Sequence, residues 1–454
     1  MDCKPCAITW IPAIPAHWQE MMLFQCATEQ NNSNKEIHHQ NLLSLSYGKI
    51  VRKDINTTAG LLPASFDSYQ VVNPGNIIMR LTDLQNDKKS LRTGLVTETG
   101  IITSAYTCLS PRDGIKPEYL QYLLHSFDTH KVFYGMGGGV RQSIGYADIR
   151  KMLVVIPPYD EQCKISQYLS WTASETAHLI KEKRREIRLL RELRRSIINN
   201  AVTHGIDSNV EYKNSGHGWI NTIPKHWQML YSKKLFRLRM EKALPTDEQL
   251  TASQKYGIIA QAEFMRIENR RLTVVMTGDD ILKHVEAGDF VISMRSFQGG
   301  IEYSHVTGKI SSAYVMLIPN HELVYDRYFR WLLKSPSYIK ALQGTSDLVR
   351  DGQALRYANF AKVYLPQVPL DEQEAIADYL DEMCPKIDAM IDAIHAEIAL
   401  VQELRAKTIS DVVSGKVDVR DVEIPQYEPE SDDTIDDEEE TDEDNNDAAD
   451  EEVE

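Results

Sequence analysis

Nowhere in this chain of 454 residues do about 18 apolar residues follow one another, the length a membrane-spanning helix needs, so no segment is read as crossing a bilayer. Cysteine is scarce. Six residues are scattered along the chain, a usage that predicts a reduced, cytoplasmic protein. The first residues lack the basic-then-apolar layout of a secretory signal. Cys3 and Cys6 form a lone C-x-x-C without the second Cys/His pair that a zinc site needs, so no metal is expected. Lys and Arg are absent from residues 428–454, which hold 17 Asp and Glu. The formal charge of −16 belongs to that stretch, and the other 427 residues sit near +1. The low pI therefore excludes no nucleic-acid partner. The acidic stretch has no hydrophobic periodicity and is expected to be disordered. Glycine and proline nearly vanish from two further stretches, after Pro158 and again after Pro369, with Pro385 as the exception.

What is present is a repeat. WIPAIPAHW at residues 10–18 returns as WINTIPKHW at residues 219–227, an offset of 209. Tyr47-Gly48 matches Tyr256-Gly257, Tyr119 matches Tyr328, and Val140-Arg141 matches Val349-Arg350, all at 209. Ser104-Ala105-Tyr106 matches Ser312-Ala313-Tyr314 at 208. Asp160-Glu161-Gln162 matches Asp371-Glu372-Gln373, and Glu192-Leu193-Arg194 matches Glu403-Leu404-Arg405, both at 211. Chance matches do not hold one diagonal across two copies. The chain is a duplication, with a period far longer than that of a solenoid.

Each copy has two parts. The first carries short β-rich segments, Gly/Asn/Pro turns and short helical patterns, which read as α+β. The second is helical. Asp160 and Asp371 are expected N-caps, with Glu374 at the capping-box position of the second helix. Gly205 and Gly415 are the expected stops. Ile376, Leu380, Met383, Ile387, Met390, Ile394, Ile398, Val401 and Leu404 recur at steps of three and four. The matching positions of the first copy are Ile165, Leu169, Thr172, Thr176, Leu179, Lys183, Ile187, Leu190 and Leu193. Such a pattern predicts coiled-coil seams on helices of about 42 residues, paired antiparallel so that each buries its stripe. Pseudo-two-fold symmetry follows. The expected boundaries are 1–158, 159–205, 206–369 and 370–417, with an acidic tail at 418–454.

Catalytic motifs fail when tested. IPPY at residues 156–159 has Ile where an amino-methyltransferase motif needs Asn or Asp to accept from the target amine, and the second copy loses the Pro pair. NPGN at residues 73–76 reads as a turn. GMGGGV at residues 135–140 ends in Val and is followed by no GK[ST]. No Asp…Glu-x-Lys cluster suits a nuclease. No cofactor and no intrinsic catalysis are expected.

The duplicated IP-x-HW, the LSLSYG strand at residues 43–48, IPPYDEQ at residues 156–162, VPLDEQ at residues 368–373 and the late Glu-Leu-Arg segments together resemble the specificity subunits of Type I restriction-modification enzymes. The resemblance covers residues 1 to about 420. It implies two target-recognition domains, each reading half of a bipartite double-stranded DNA site. It implies two spacer helices that dock two methyltransferase subunits, with nuclease and translocase on separate restriction subunits. The acidic tail has no place in that pattern. Two other classes stay open: a single-chain methyltransferase or nuclease with its own reader, and a coiled-coil scaffold that binds only proteins.

Candidate DNA contacts come from matched loops. In the Gly-rich loop at residues 137–143, Arg141 and Gln142 align with the segment holding Arg350 and Gln353. Arg suits phosphate or guanine and Gln suits adenine. Arg80 and Arg295 end matched strands, with Gln85 and Gln298 just beyond. The plainer reading is ordinary surface loops with structural arginines. Trp18 and Trp227, and Tyr106 and Tyr314 inside β-like runs, are expected in the core. Residues 181–195, KEKRREIRLLRELRR, hold eight basic and three acidic residues. They read as a solvated helix face, or as a surface for DNA backbone or methyltransferase.

Overall fold

The computed structural model describes residues 2–35, 39–56, 65–84, 91–136, 143–269, 281–293, 296–345 and 356–430. Gln85, Arg141, Gln142, Arg295, Arg350, Gln353 and residues 431–454 lie outside that set. The described chain falls into two compact units, Met1–Glu182 with Ala396–Asp432, and Lys183–His395. The division cuts across both long helices. Each unit takes the start of one long helix and the end of the other, because both helix termini pack into globular cores. No helix among the described residues is long and apolar enough to cross a membrane.

The first long helix runs Tyr159–His204 and the second Leu370–Val413, 46 and 44 residues. At ~1.5 Å per residue each is roughly 65–70 Å long. Both start one residue before the Asp expected as cap. Asp160 and Asp371 sit inside the first turn, beside Glu161 and Glu372, where negative charge meets the positive end of the helix dipole. The stops are as expected. Gly205 and Gly415 take φ of +77° and +74°, and the Gly205 N–H donates to the Ala201 carbonyl at 3.0 Å.

The first unit holds two larger sheets and two two-stranded ones among its described residues. One of the larger sheets is antiparallel, in the order Thr93–Leu95, Ile77–Met79, Thr107–Pro111, Ala27–Gln30. The other has five strands and includes the hairpin Leu42–Ser46/Lys49–Lys53. Its two-residue loop is the matched Tyr47-Gly48, with φ of 45° and 80°, the left-handed pair that a tight hairpin requires. The helix Pro117–Thr129 packs Leu120, Leu123, Leu124 and Phe127 into a core that also takes Trp18, Ile165 and Leu169 from the first copy. Ile409, Val412 and Val413 enter the same core from the end of the second long helix.

The second unit repeats the plan. Its antiparallel sheet runs Phe236–Leu238, Val315–Pro319, Phe290–Ile292, Glu302–Tyr303. Trp227, Tyr328, Leu332, Ile376 and Leu380 share its core with Ile198, Ala201 and Val202 from the end of the first long helix. Trp18 and Trp227 are buried as expected. Tyr106 and Tyr314 are only half-buried, and their Ser-Ala dipeptides sit in turns between strands, not inside strands. The turn is held from a neighbouring strand in both units: Gln70 Nε2 donates to the Tyr106 carbonyl and Lys283 Nζ to the Tyr314 carbonyl, each at 2.6 Å.

The seam residues differ from the expected list in a regular way. Met390 and Leu404 are exposed, while Cys384 and Ile391 are buried. In the first long helix Leu179 and Leu193 are exposed, while Ala177 and Ile180 are buried. The inner row of the second helix reads Leu380, Cys384, Ile387, Ile391, Ile394. The steps of three and four thus fall in the opposite order from that expected. A further difference concerns residues 418–430, expected within the disordered tail. They lie against the first unit, with Val419 in its core.

Candidate nucleic-acid interface

The repeated motifs meet one another in each unit, and this fixes where everything else stands. In the first unit Glu161 accepts from the Trp18 indole N–H at 2.9 Å and from His17 Nε2 at 2.6 Å. In the second, Glu372 accepts from Trp227 at 2.9 Å and His226 at 2.8 Å. The next residue of the motif clamps backbone. Gln162 accepts from the Lys116 N–H and donates to the carbonyls of Gly114 and Pro157. Gln373 does the same with Tyr325, Leu323 and Val368. The stop glycines close the knot. A Cβ on Gly415 would stand 2.5 Å from Pro15 Cδ and 3.2 Å from the Trp18 ring, and one on Gly205 would stand 2.9 Å from Glu372 Oε1. The matched tyrosines reach the same helix ends: Tyr119 Oη donates to the carbonyls of Val155 and, at 3.4 Å, Val413, and Tyr328 Oη to Val202 at 2.8 Å. Burial holds both phenols far above their usual pKa. The sequence had marked these tyrosines only as matches. Tyr at one spacing from a stop glycine carries no signal until the two are seen together.

On this frame, the first unit brings together the described flanks of its candidate loops beyond the strand Ile77–Met79. The strand Ile77–Met79 exits through Arg80, which is partly buried. The Ile144 N–H, just past the Gly-rich loop, donates to the Leu81 carbonyl at 2.9 Å. Arg92, fully buried, ties the two further together. Its guanidinium donates to the carbonyls of Arg80, Thr82 and Asp83 at 3.1, 2.8 and 3.3 Å. It also donates to Tyr134 Oη at 3.0 Å and lies over that ring. Tyr134 sits in the short helix Val132–Gly135 that leads into the Gly-rich loop. A buried cation thus spans the flanks of both loops. Sequence reasoning missed Arg92, because nothing in an unmatched arginine marks it as buried.

The second unit brings together the corresponding flanks by other means. After Phe290–Ile292 the chain turns, with Ser293 and Ser296 bonded to each other, into the short helix Ser296–Gly299 carrying Gln298, which is exposed. Gly300, at φ +86°, lets this turn approach Leu333 so closely that a Cβ would stand 2.4 Å from the Leu333 carbonyl. The helix Pro336–Gln343 follows, and the Thr345 carbonyl beyond it accepts from Asn359 and Lys362. Among the sequence candidates only Arg80 and Gln298 are described: Arg80 directly follows the strand Ile77–Met79, and Gln298 sits in the short helix that follows Phe290–Ile292. Gln85, Arg141, Gln142, Arg295, Arg350 and Gln353 fall outside the described residues.

No model of a known protein family matches the sequence. A curated relative from Methanocaldococcus jannaschii, described as a type I restriction enzyme specificity subunit, is 24% identical over 317 residues, 68% of this chain and 70% of its own. Over those residues the chain is similar to a type I restriction specificity subunit. A chain from a solved type I restriction-modification assembly shares the fold, with a TM-score of 0.59 at 16% identity, covering 89% of this chain and 99% of that one. The HsdS subunit from Thermoanaerobacter tengcongensis aligns over 89% of this chain and 98% of its own at a TM-score of 0.49 and 14% identity, too low to add weight. The described residues hold no cluster of three or more His, Cys, Asp or Glu suited to a metal. Tyr159 of IPPY opens a helix, with Ile156 on the strand before it. Asn76 Oδ1 accepts from the Asn73 N–H in the NPGN turn, so its amide serves the turn.

Proposed function

We propose that this chain is the non-catalytic, sequence-reading subunit of a type I restriction-modification complex. Each unit reads one half of a bipartite DNA site, and the long helices act as the spacer that also docks methyltransferase and restriction subunits. The observation that carries the reading is the shared plan of the two units. Each brings a strand exit and the flank of a post-helix loop to one place, on a frame built from the same three motifs. Two similar readers suit two half-sites about one DNA turn, roughly 34 Å, or a multiple of it apart. The antiparallel pairing is supported by the content of each unit, the start of one long helix with the end of the other. Phosphate contacts supply affinity, and base-edge contacts from the loops supply sequence.

The test is reconstitution. The purified chain should transfer no methyl group from labelled AdoMet to DNA by itself. With its methyltransferase partner it should bind and methylate one bipartite sequence. Methyl transfer without a partner overturns the reading in favour of a self-contained enzyme. A complex that forms but binds all DNA alike favours a protein-only scaffold. Within the reconstituted complex, Arg80→Ala should relax one half-site only, by ~1–3 kcal/mol if its base contact is bidentate.

A further inference from the structure

The chain does not leave the protein where the second long helix ends. It continues as a strap that returns to the first long helix. Ser174, on that helix and 5% exposed, donates to the Glu428 carbonyl at 3.0 Å and accepts from the Glu430 N–H at 2.7 Å. The Lys181 ammonium lies 2.6 Å from the Glu430 carboxylate. Residue 430 is thereby fixed beside the first residue of the basic run at 181–195. Beyond the anchor, residues 431–454 carry 15 Asp and Glu and no Lys or Arg, and eight of the nine residues from 436 to 444 are acidic.

We propose that residues 431–454 dock on the basic face of the first long helix beyond Lys181, and that DNA phosphates must displace them to reach it. The docking does not depend on the DNA-reading role, whereas the competition with DNA rests on it. Three physical points select this occupant. The first is reach. The basic run covers ~21 Å along the helix at ~1.5 Å per residue, and 24 residues of chain can span up to ~80 Å. The second is charge. Eight basic against three acidic residues leave the run at +5, and Arg188 and Arg195 on it are exposed, while Arg194 is already paired with Asp388 at 2.7 Å. The third is tethering. An anchor at the edge of a site holds a linked ligand there at an effective concentration in the millimolar range. Exposed ion pairs are individually weak, so several must act together, and salt should release the segment.

Two experiments on the full chain test the proposal. The first is carbodiimide cross-linking at low salt, read by mass spectrometry. Lys183, two residues into the run from the anchored Lys181, should join to acids of residues 431–454, and the products should disappear in high salt. Tail acids joined evenly to lysines across the chain overturn the docking. The second measures binding to random-sequence duplex DNA, full-length chain against a chain stopped after Glu430. Each form is measured with the native helix and with Arg188→Ala/Arg195→Ala. Truncation should strengthen binding about 10-fold at low salt and little at high salt. The gain should shrink in the doubly substituted helix. A gain of the same size in both backgrounds means that the tail acts from elsewhere, and the proposal fails. If no form binds random DNA while Lys183 still cross-links to the tail, the DNA-reading role fails and the docking stands.

Discussion

At the scale of single residues, the repeated motif has a chemical reason. The indole N–H of a buried Trp needs an acceptor, and the helix that opens on Asp-Glu-Gln supplies one. Glu161→Ala should cost the first unit ~1–3 kcal/mol, because Trp18 is left with a buried donor and no partner. Glu161→Gln keeps an acceptor and should cost clearly less. Urea denaturation checks the pair, and equal losses would show that the indole bond contributes nothing. His125 gives a pH dependence. Burial, with the positive charge of Arg405 beside it, lowers its pKa from 6.5 to about 4. The folded form therefore keeps the ring neutral where the unfolded chain binds a proton. Stability should be full above about 6.5 and should fall with acidification until about 4. His125→Gln should flatten that part of the profile measured by denaturation at stepped pH. The role of Glu161 was half legible. The sequence placed it at a helix start, where acids are common, and only the fold showed which side chains it serves.

At the scale of elements, the long helices were legible in extent and only partly in face. Length followed from the missing Gly and Pro and from the stops. The face did not, because apolar residues stand side by side at 383 and 384 and at 390 and 391. Both steps satisfy a helical stripe, and the packing chose Cys384 and Ile391. The stops themselves do more than end helices. Gly415 holds a left-handed φ and faces Pro15 and Trp18 too closely for a side chain. Gly415→Ala should cost ~1–3 kcal/mol from backbone strain plus the clash. Gly205→Ala meets only the end of a carboxylate closely, and should cost less. Thermal unfolding of the two variants checks the order, and a reversed order would contradict the packing described at these stops.

At the scale of the whole molecule, each unit borrows the end of the other copy's long helix. Neither copy is therefore a complete folding unit by itself. A chain stopped before the second long helix should lose the first unit's core contacts from Ile409, Val412 and Val413, and should expose apolar surface. Dye binding and proteolysis of that fragment measure it, and a compact, protease-resistant first copy would overturn the expectation. For the proposed spacer role, a four-residue insertion after Arg184 lengthens the first long helix by ~6 Å and turns its far end by ~40°. The preferred gap between half-sites should change while the half-site sequences do not, as read by selection from random DNA with the reconstituted complex. An unchanged gap would mean that the helices do not set the spacing.

The sequence by itself determined the duplication, the two long helices with their stops, and the buried tryptophans. All of these rest on spacing and on residue types with strong local preferences. The tertiary structure decided the partners. A match at an offset of about 210 says that two places are alike, but it does not say that Trp18, Glu161 and Gly415 touch. It gave no sign of Arg92, whose burial depends on carbonyls from one turn and an aromatic ring from another. Contacts between residues far apart in the chain are chosen by shape and by the need to satisfy buried polar groups. Neither leaves a period in the sequence.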